Sequence, residues 1–299
     1  MSVRRTSVAM KAFRSLVGLV EFGAIAIGCD GGPSGLSSAG QPTYLSDSFS
    51  PTRGVDASGA AAPEVWWRMR INGGAPIIST DGIEAVTFAD QEIRFSAGGT
   101  MGTSLLAATS KRSNPFGTVT TQTRQTGATR LLATTPATII EQTYDEVQRV
   151  TLPGITDSSS ETTFVLTDSP AQRIFADRTD LDQLPVGHAE EASFTSTQTF
   201  STMADGRTVV EGTQSAMVHQ RWTVVEQLPT MTVLDRDYRR VVHVELVIDT
   251  TDSMTGQTSS QTQESWYAAG IGAIRMVPPP DVVFPSAPIE LVDTNLRQK

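Results

Sequence analysis

Cysteine is almost missing. The 299 residues contain one, Cys29, so no internal disulfide can form and no cysteine-rich zinc site can be built. Histidine is nearly as scarce, with three residues, which argues against a dense catalytic or metal-binding cluster. Lysine is confined to Lys11, Lys111 and Lys299, and every other basic residue is arginine. Basic residues number 23 against 32 acidic, a net charge of −9. Such a chain gains nothing from counterion release on phosphates, so nucleic acid is not an expected partner. The metalloprotease pattern His-Glu-x-x-His, the phosphate loop Gly-x-x-x-x-Gly-Lys and the nucleophile elbow Gly-x-Ser-x-Gly do not occur. The sequence therefore points to no catalytic residue, no cofactor and no metal, and the expectation is a protein that is not an enzyme.

What is present begins at the N-terminus. Residues 1–14 carry Arg4, Arg5, Lys11 and Arg14 and no acid, and an apolar stretch over 16–28, interrupted by Glu21, follows. That stretch is shorter than the about 20 apolar residues of a relaxed membrane-spanning helix. A basic region, an apolar region and small residues before a break describe a secretory signal peptide, with Met1 or Met10 as the start. Ala26-Ile27-Gly28-Cys29 resembles the bacterial lipobox, with Ala26 where leucine is usual. The resemblance implies that residues 1–28 are removed and that Cys29 is acylated and becomes the mature N-terminus. Two or three acyl chains hold a protein on a membrane where one binds reversibly. The expected location is the bacterial cell envelope, with the membrane as a partner through lipidated Cys29 and plain secretion as the alternative.

Residues 29–63 are rich in Gly, Ser, Ala and Pro and poor in large apolar residues, which predicts a flexible tether. From about Glu64 the pattern turns to period two. Val65, Trp67, Met69 and Ile71 alternate with Trp66, Arg68 and Arg70, and Asn72-Gly73-Gly74 reads as a turn. Strands are expected over 83–89, 91–97, 117–126 and 128–135, the last two around a turn at Gly127. Helix and extended structure both fit 137–150. Further strands are expected over 162–167, 192–203 and 207–212, with Asp205-Gly206 as a hairpin turn. The series continues over 217–226, 240–249, 257–267 and 271–277, and Pro278-Pro279-Pro280 is expected to stop the sheet. No alternation of strand and helix appears, which disfavours a parallel sheet. The fold class is mainly β: a curved antiparallel meander, a half-barrel or open barrel, with at most one or two helices. It occupies 64–277, with a break near 170–190 if it has two halves, and 278–299 form a proline-containing tail.

The segment Glu264-Ser265-Trp266-Tyr267-Ala268-Ala269-Gly270-Ile271-Gly272 resembles a Trp-Tyr-Ala-Pro-Gly-Val-Gly motif that closes a group of uncharacterised bacterial envelope lipoproteins. Ala269 stands where that motif has proline. Leu184-Pro185-Val186-Gly187 resembles the Leu-x-Val-Gly stretch that opens the same region, and a loop at 227–229 with Tyr238 fits the hairpin between them. The likeness spans about 181–277. It implies an envelope location, no known activity, and by analogy a curved sheet like those of lipoprotein carriers.

Three aromatics are candidates for a core or cavity. Trp222 and Trp266 are expected on the concave apolar side of the sheet, and Tyr267 is expected to aim its hydroxyl at the opposite face. Phe194 joins the two tryptophans if a cavity exists. His219, His243 and Glu245 face outward by parity and could meet in a surface metal site; solvated polar side chains are the plainer reading. Asp177, Asp180 and Asp182 lack the glycine and glutamate of a calcium loop. Taken together the sequence describes a membrane-anchored, structural or interaction lipoprotein whose partner is an envelope protein or an apolar small molecule. A lipid carrier with a sheet-enclosed cavity is the alternative, and an unrecognised hydrolase a third.

Overall fold

The computed structural model describes residues 49–51, 64–96, 101–115, 117–132, 138–151, 158–173, 175, 178–204, 206–280 and 283–298. The expected signal peptide and Cys29 lie outside them. Period-two alternation organises the described chain. β1 (Val65–Ile71) buries Val65, Trp67, Met69 and Ile71 and turns Trp66, Arg68 and Arg70 outward. After a turn with Asn72 and Gly73 at φ 52° and 61° come β2 (Ile77–Ile78), β3 (Glu84–Phe88), β4 (Gln91–Phe95), β5 (Met101–Asn114) and β6 (Gly117–Leu132). They are followed by β7 (Thr138–Thr151), β8 (Ser158–Ser169), β9 (Gln172–Arg173), β10 (Ala189–Ala204) and β11 (Arg207–Val233). β12 (Arg236–Asp252), β13 (Thr258–Ala268), β14 (Gly272–Val277) and β15 (Ile289–Thr294) complete the series.

All pairings are antiparallel. β3 and β4 run as one broken line along β5, with Glu84 opposite Arg112 and Phe95 opposite Gly102. β2 extends this line beside β3, and β9 is a short addition to β7. The rest is a nearest-neighbour meander. Because β5 pairs with both β4 and β6, and β1 with both β4 and β15, the sheet closes into a 12-strand barrel. The mainly β meander is thus as expected, and the ring is closed where a half-barrel or open barrel was expected. Closure gives every strand of the ring two neighbours, although Thr258–Gln263 of β13 pair only with β12 and β2 only with β3.

Closure depends on residues outside the expected domain. Beyond the prolines, the predicted tail returns as β15, whose Ile289 and Leu291 are buried between β14 and β1. Inside the predicted tether, Phe49 is fully buried, and its N–H donates to the Arg178 carbonyl at 3.4 Å. The region 170–190 is no boundary, since β8 and β10 pair from Thr195–Ser169 to Ala204–Ser160.

Other expectations resolve locally. The ambiguous 137–150 segment is strand β7. Gly127 is not a turn but the middle of β6: a Cβ there would lie 2.9 Å from the Tyr144 ring, so the glycine admits an aromatic side chain. The expected loop at 227–229 is part of β11, which turns only after Val233. Pro229 has no N–H to donate, and Arg240 beside it leaves the ladder at φ 48°. The Arg240 carbonyl accepts from Ala269 N–H, and its guanidinium donates to Asp182 at 2.6 Å.

The base of the barrel, where β1 begins and β15 ends, is filled. Trp67 and Tyr267 are fully buried there with Phe49 and Leu181, and the Trp67 indole N–H donates to the Ile271 carbonyl. Charges lie on the outer wall instead. Arg70 grips Asp90 with two bonds of 2.8 Å, Arg68 spans Asp90 and Asp293, and Arg94 faces Glu64 and Glu92. At this level the charged outer wall is unlike the apolar outer band of a lipid-facing barrel. Among the described residues no helix is long and apolar enough to cross a membrane.

Candidate functional site in and around the barrel

Trp222 and Tyr267 reach the interior from β11 and β13. The ring of Phe175 lies between them, stacked on Trp222 at 4.9 Å and edge-on to Tyr267 at 5.5 Å. Phe194 is buried in the same contiguous core. Trp266 is not there. Strand alternation in β13 turns Gln263, Ser265 and Tyr267 inward and Glu264 and Trp266 outward. The expected orientations of Trp266 and Tyr267 are therefore exchanged. The outward indole stacks on His243 at 4.2 Å and 9°, and the Arg275 guanidinium lies over the same indole, 5.4 Å from its ring centroid.

Further from the base, the inner wall carries a second aromatic row. Tyr144 lies opposite Phe164, and Phe164 opposite Phe200, on three adjacent strands. The row ends on glycines: Tyr144 covers Gly127 and Phe200 covers Gly212. Tyr144 and Phe164 are buried but stand apart from the contiguous core. Polar groups sit beside them. Tyr144 donates to Gln142 at 2.9 Å, Gln148 donates to buried Glu146 at 2.8 Å, and the Thr162 and Thr202 hydroxyls meet at 3.0 Å.

Buried acids do not converge. Glu84 accepts from Ser110 and faces Arg112 at 3.7 Å. Glu146 pairs in register with Thr162, six residues along β8 from Asp168, which is about 20 Å at roughly 3.3 Å per residue. Burial raises the pKa of Asp168, and the neighbouring Ser196 hydroxyl offsets this only in part. His219 and His243, weighed above for a surface metal site against the plainer reading of solvated side chains, are equally far apart. His219 pairs with Asp249 and His243 with Glu226, again six residues along β12. Among the described residues no group of three or more His, Cys, Asp or Glu side chains could hold a metal ion. Burial lowers the pKa of His243, against the pull of Glu264, Glu226 and Glu245. Asp180 and Asp182 are held by Arg178 and Arg240, and Asp177 lies outside the described residues.

One pairing escaped the sequence reading. Ser193 Oγ lies 3.0 Å from His219 Nδ1, and Glu191 lies 3.9 Å from His219 Nε2. Nucleophile, base and acid are all present in outline. They stand on the exposed outer face of the β10–β11 ladder, where Ser193 and His219 are register partners. Comparison with protein-family models, with curated proteins and with solved structures finds no match for the chain.

Proposed function

We propose that the chain is a bacterial envelope lipoprotein, anchored through acylated Cys29, whose barrel is a non-enzymatic interaction module related to the lipoprotein group with the Trp-Tyr-Ala motif. The observation that carries the module reading is the closed ring with its base packed by its own side chains, Trp67, Tyr267, Phe49 and Leu181. A filled base and a charged outer wall around it suit a protein that meets partners on its outside. A carrier of an apolar ligand is the second reading, favoured by the Tyr144–Phe164–Phe200 row beyond the contiguous core.

Native mass spectrometry of the protein purified from its own envelope tests both readings. The expected spectrum is a chain starting at acylated Cys29 with no retained lipid other than the anchor. A co-purified lipid lost on substituting Phe164 would replace the module reading with the carrier. A membrane-bound mature chain with a free Cys29 thiol would refute the anchor, as would Cys29→Ser protein that is still processed and membrane-bound.

A further inference from the structure

On the outer wall, in the half away from the base, β3, β5, β6 and β7 form a concavity of about 1000 Å³. Register lays its residues in a transverse band: Thr87 lies opposite Thr109, Thr109 opposite Gln122, and Gln122 opposite Arg149. A second band runs from Ala107 through Arg124 to Val147. The floor is made of small side chains, Ala85, Thr87, Ala107 and Thr109, and the long side chains of Lys111, Arg124 and Arg149 stand around it. Short residues between long ones turn an otherwise convex wall into a trough.

Charge separates this trough from the wall around the base. Arg68, Arg70, Arg94, Arg236 and Arg275 each face a carboxylate. Lys111, Arg124 and Arg149 have no carboxylate partner among the described residues, although the whole chain has a net charge of −9. The outward acids on the adjoining strands do not neutralise them: Asp145 accepts from Thr163 at 2.7 Å, and Glu161, opposite Val147, makes no ion pair with them. Three unneutralised cations in one concavity attract anions and hold them with charge-assisted hydrogen bonds.

We infer that the trough binds an anionic polysaccharide, a hydroxyl-rich chain bearing carboxylate or phosphate groups. The inference rests on the interaction-module reading and names the partner of that module. Guanidinium groups match carboxylate and phosphate geometry. The Thr87 and Thr109 hydroxyls and the Gln122 amide supply both donors and acceptors for sugar hydroxyls. The volume lies at the upper end of the roughly 300–1,000 Å³ of small-molecule sites, so it suits several sugar units better than one ion. A concave surface with one exposed large apolar residue, Val147, does not match a flat bilayer.

The test is calorimetric titration of the full chain at low and high salt. The probes are oligogalacturonate, a phosphomannan, methyl-esterified oligogalacturonate, poly-L-glutamate and phosphatidylglycerol vesicles. Binding of oligogalacturonate or phosphomannan is expected, weakened by salt and absent with the neutral ester; which of the two binds identifies the anionic group. Combined Lys111→Gln, Arg124→Gln and Arg149→Gln should weaken it at least about tenfold. Arg207→Gln, outside the trough, should leave it unchanged, and both variants should keep the circular dichroism of the parent. Failure of both charged glycans to bind, equal binding by the triple variant, or preference for poly-L-glutamate or vesicles would overturn the inference. None of these results alters the native mass of the anchored protein, so the module reading stands or falls separately. Retained lipid together with intact trough binding would remove that reading alone.

Discussion

Tyr267 and Trp266 are adjacent in sequence and opposite in orientation, so their truncations should differ in a way that tests the parity of β13. Tyr267 is fully buried and packs edge-on against Phe175. An aromatic side chain buries at least about 150 Å². At roughly 25 cal/mol per Å², that is about 4 kcal/mol, within the roughly 3–5 kcal/mol of large-to-alanine substitutions in cores. Each kcal/mol moves the melting temperature of a large domain by about 2–4 °C, so Tyr267→Ala should melt about 8–16 °C below the parent. Trp266 is half-buried, and its loss removes stacking on His243 and the contact with Arg275. Such contacts contribute about 0.5–1.5 kcal/mol each, so Trp266→Ala should cost about 1–3 kcal/mol, less than Tyr267→Ala. Thermal unfolding followed by far-UV circular dichroism reads both without relying on tryptophan emission. If Trp266→Ala is as damaging as Tyr267→Ala, or more so, the assignment of faces is wrong.

Because burial holds the folded-state pKa of His243 below its unfolded value of about 6.5, the unfolded chain binds more protons, and stability should fall as pH drops through that value. The groups facing this imidazole are Glu226 on β11, Glu245 on its own strand and Glu264 on β13, with Arg275 beyond Trp266; His243→Gln should flatten the slope of urea midpoints between pH 7.5 and 5, and an unchanged slope would rule out this origin. Asp168 has the opposite sign: its raised folded-state pKa means that stability is lost as pH rises from about 3.9 through that value. Asp168→Asn should therefore melt above the parent at pH 7.5 and lose that advantage at about pH 3.5, and a variant less stable at both would show the carboxylate to be needed. Hydrolysis of p-nitrophenyl acetate should stay at the background rate and be unaffected by Ser193→Ala; loss of a measurable rate in that variant would make the Ser193–His219 pair a catalytic one.

Residues 192–277 were largely legible because each strand is closed by a turn residue and its two faces differ. In β12, Val242, Val244, Leu246 and Ile248 oppose His243, Glu245 and Asp249, and the structure buries the first set. β5 escaped because it lacks that contrast: Gly102, Ser104, Leu106 and Ala108 on one face match Thr103, Leu105, Ala107 and Thr109 on the other in size and polarity. Trp266 misled through its size. A small polar residue, Ser265, occupies the buried position before Tyr267 and is satisfied by Gln263 at 3.0 Å. The trough could not be read at all, since it exists only through the registers joining β3, β5, β6 and β7. Lys111 was visible as a rare lysine, with nothing nearby in sequence to show that Arg124 and Arg149 stand beside it.

The pairing of β1 with β15 has a kinetic consequence. The first and last strands of the ring are neighbours, so the seam forms only once the entire barrel sequence is present, and the loop it closes spans nearly all of it. Contacts between residues so distant in sequence slow folding. Until then β1 and β14 are bare edges, each able to template pairing with another copy. A nascent chain is thus exposed to aggregation for as long as β15 is delayed, and a stop codon just before Ile289 would make that interval permanent.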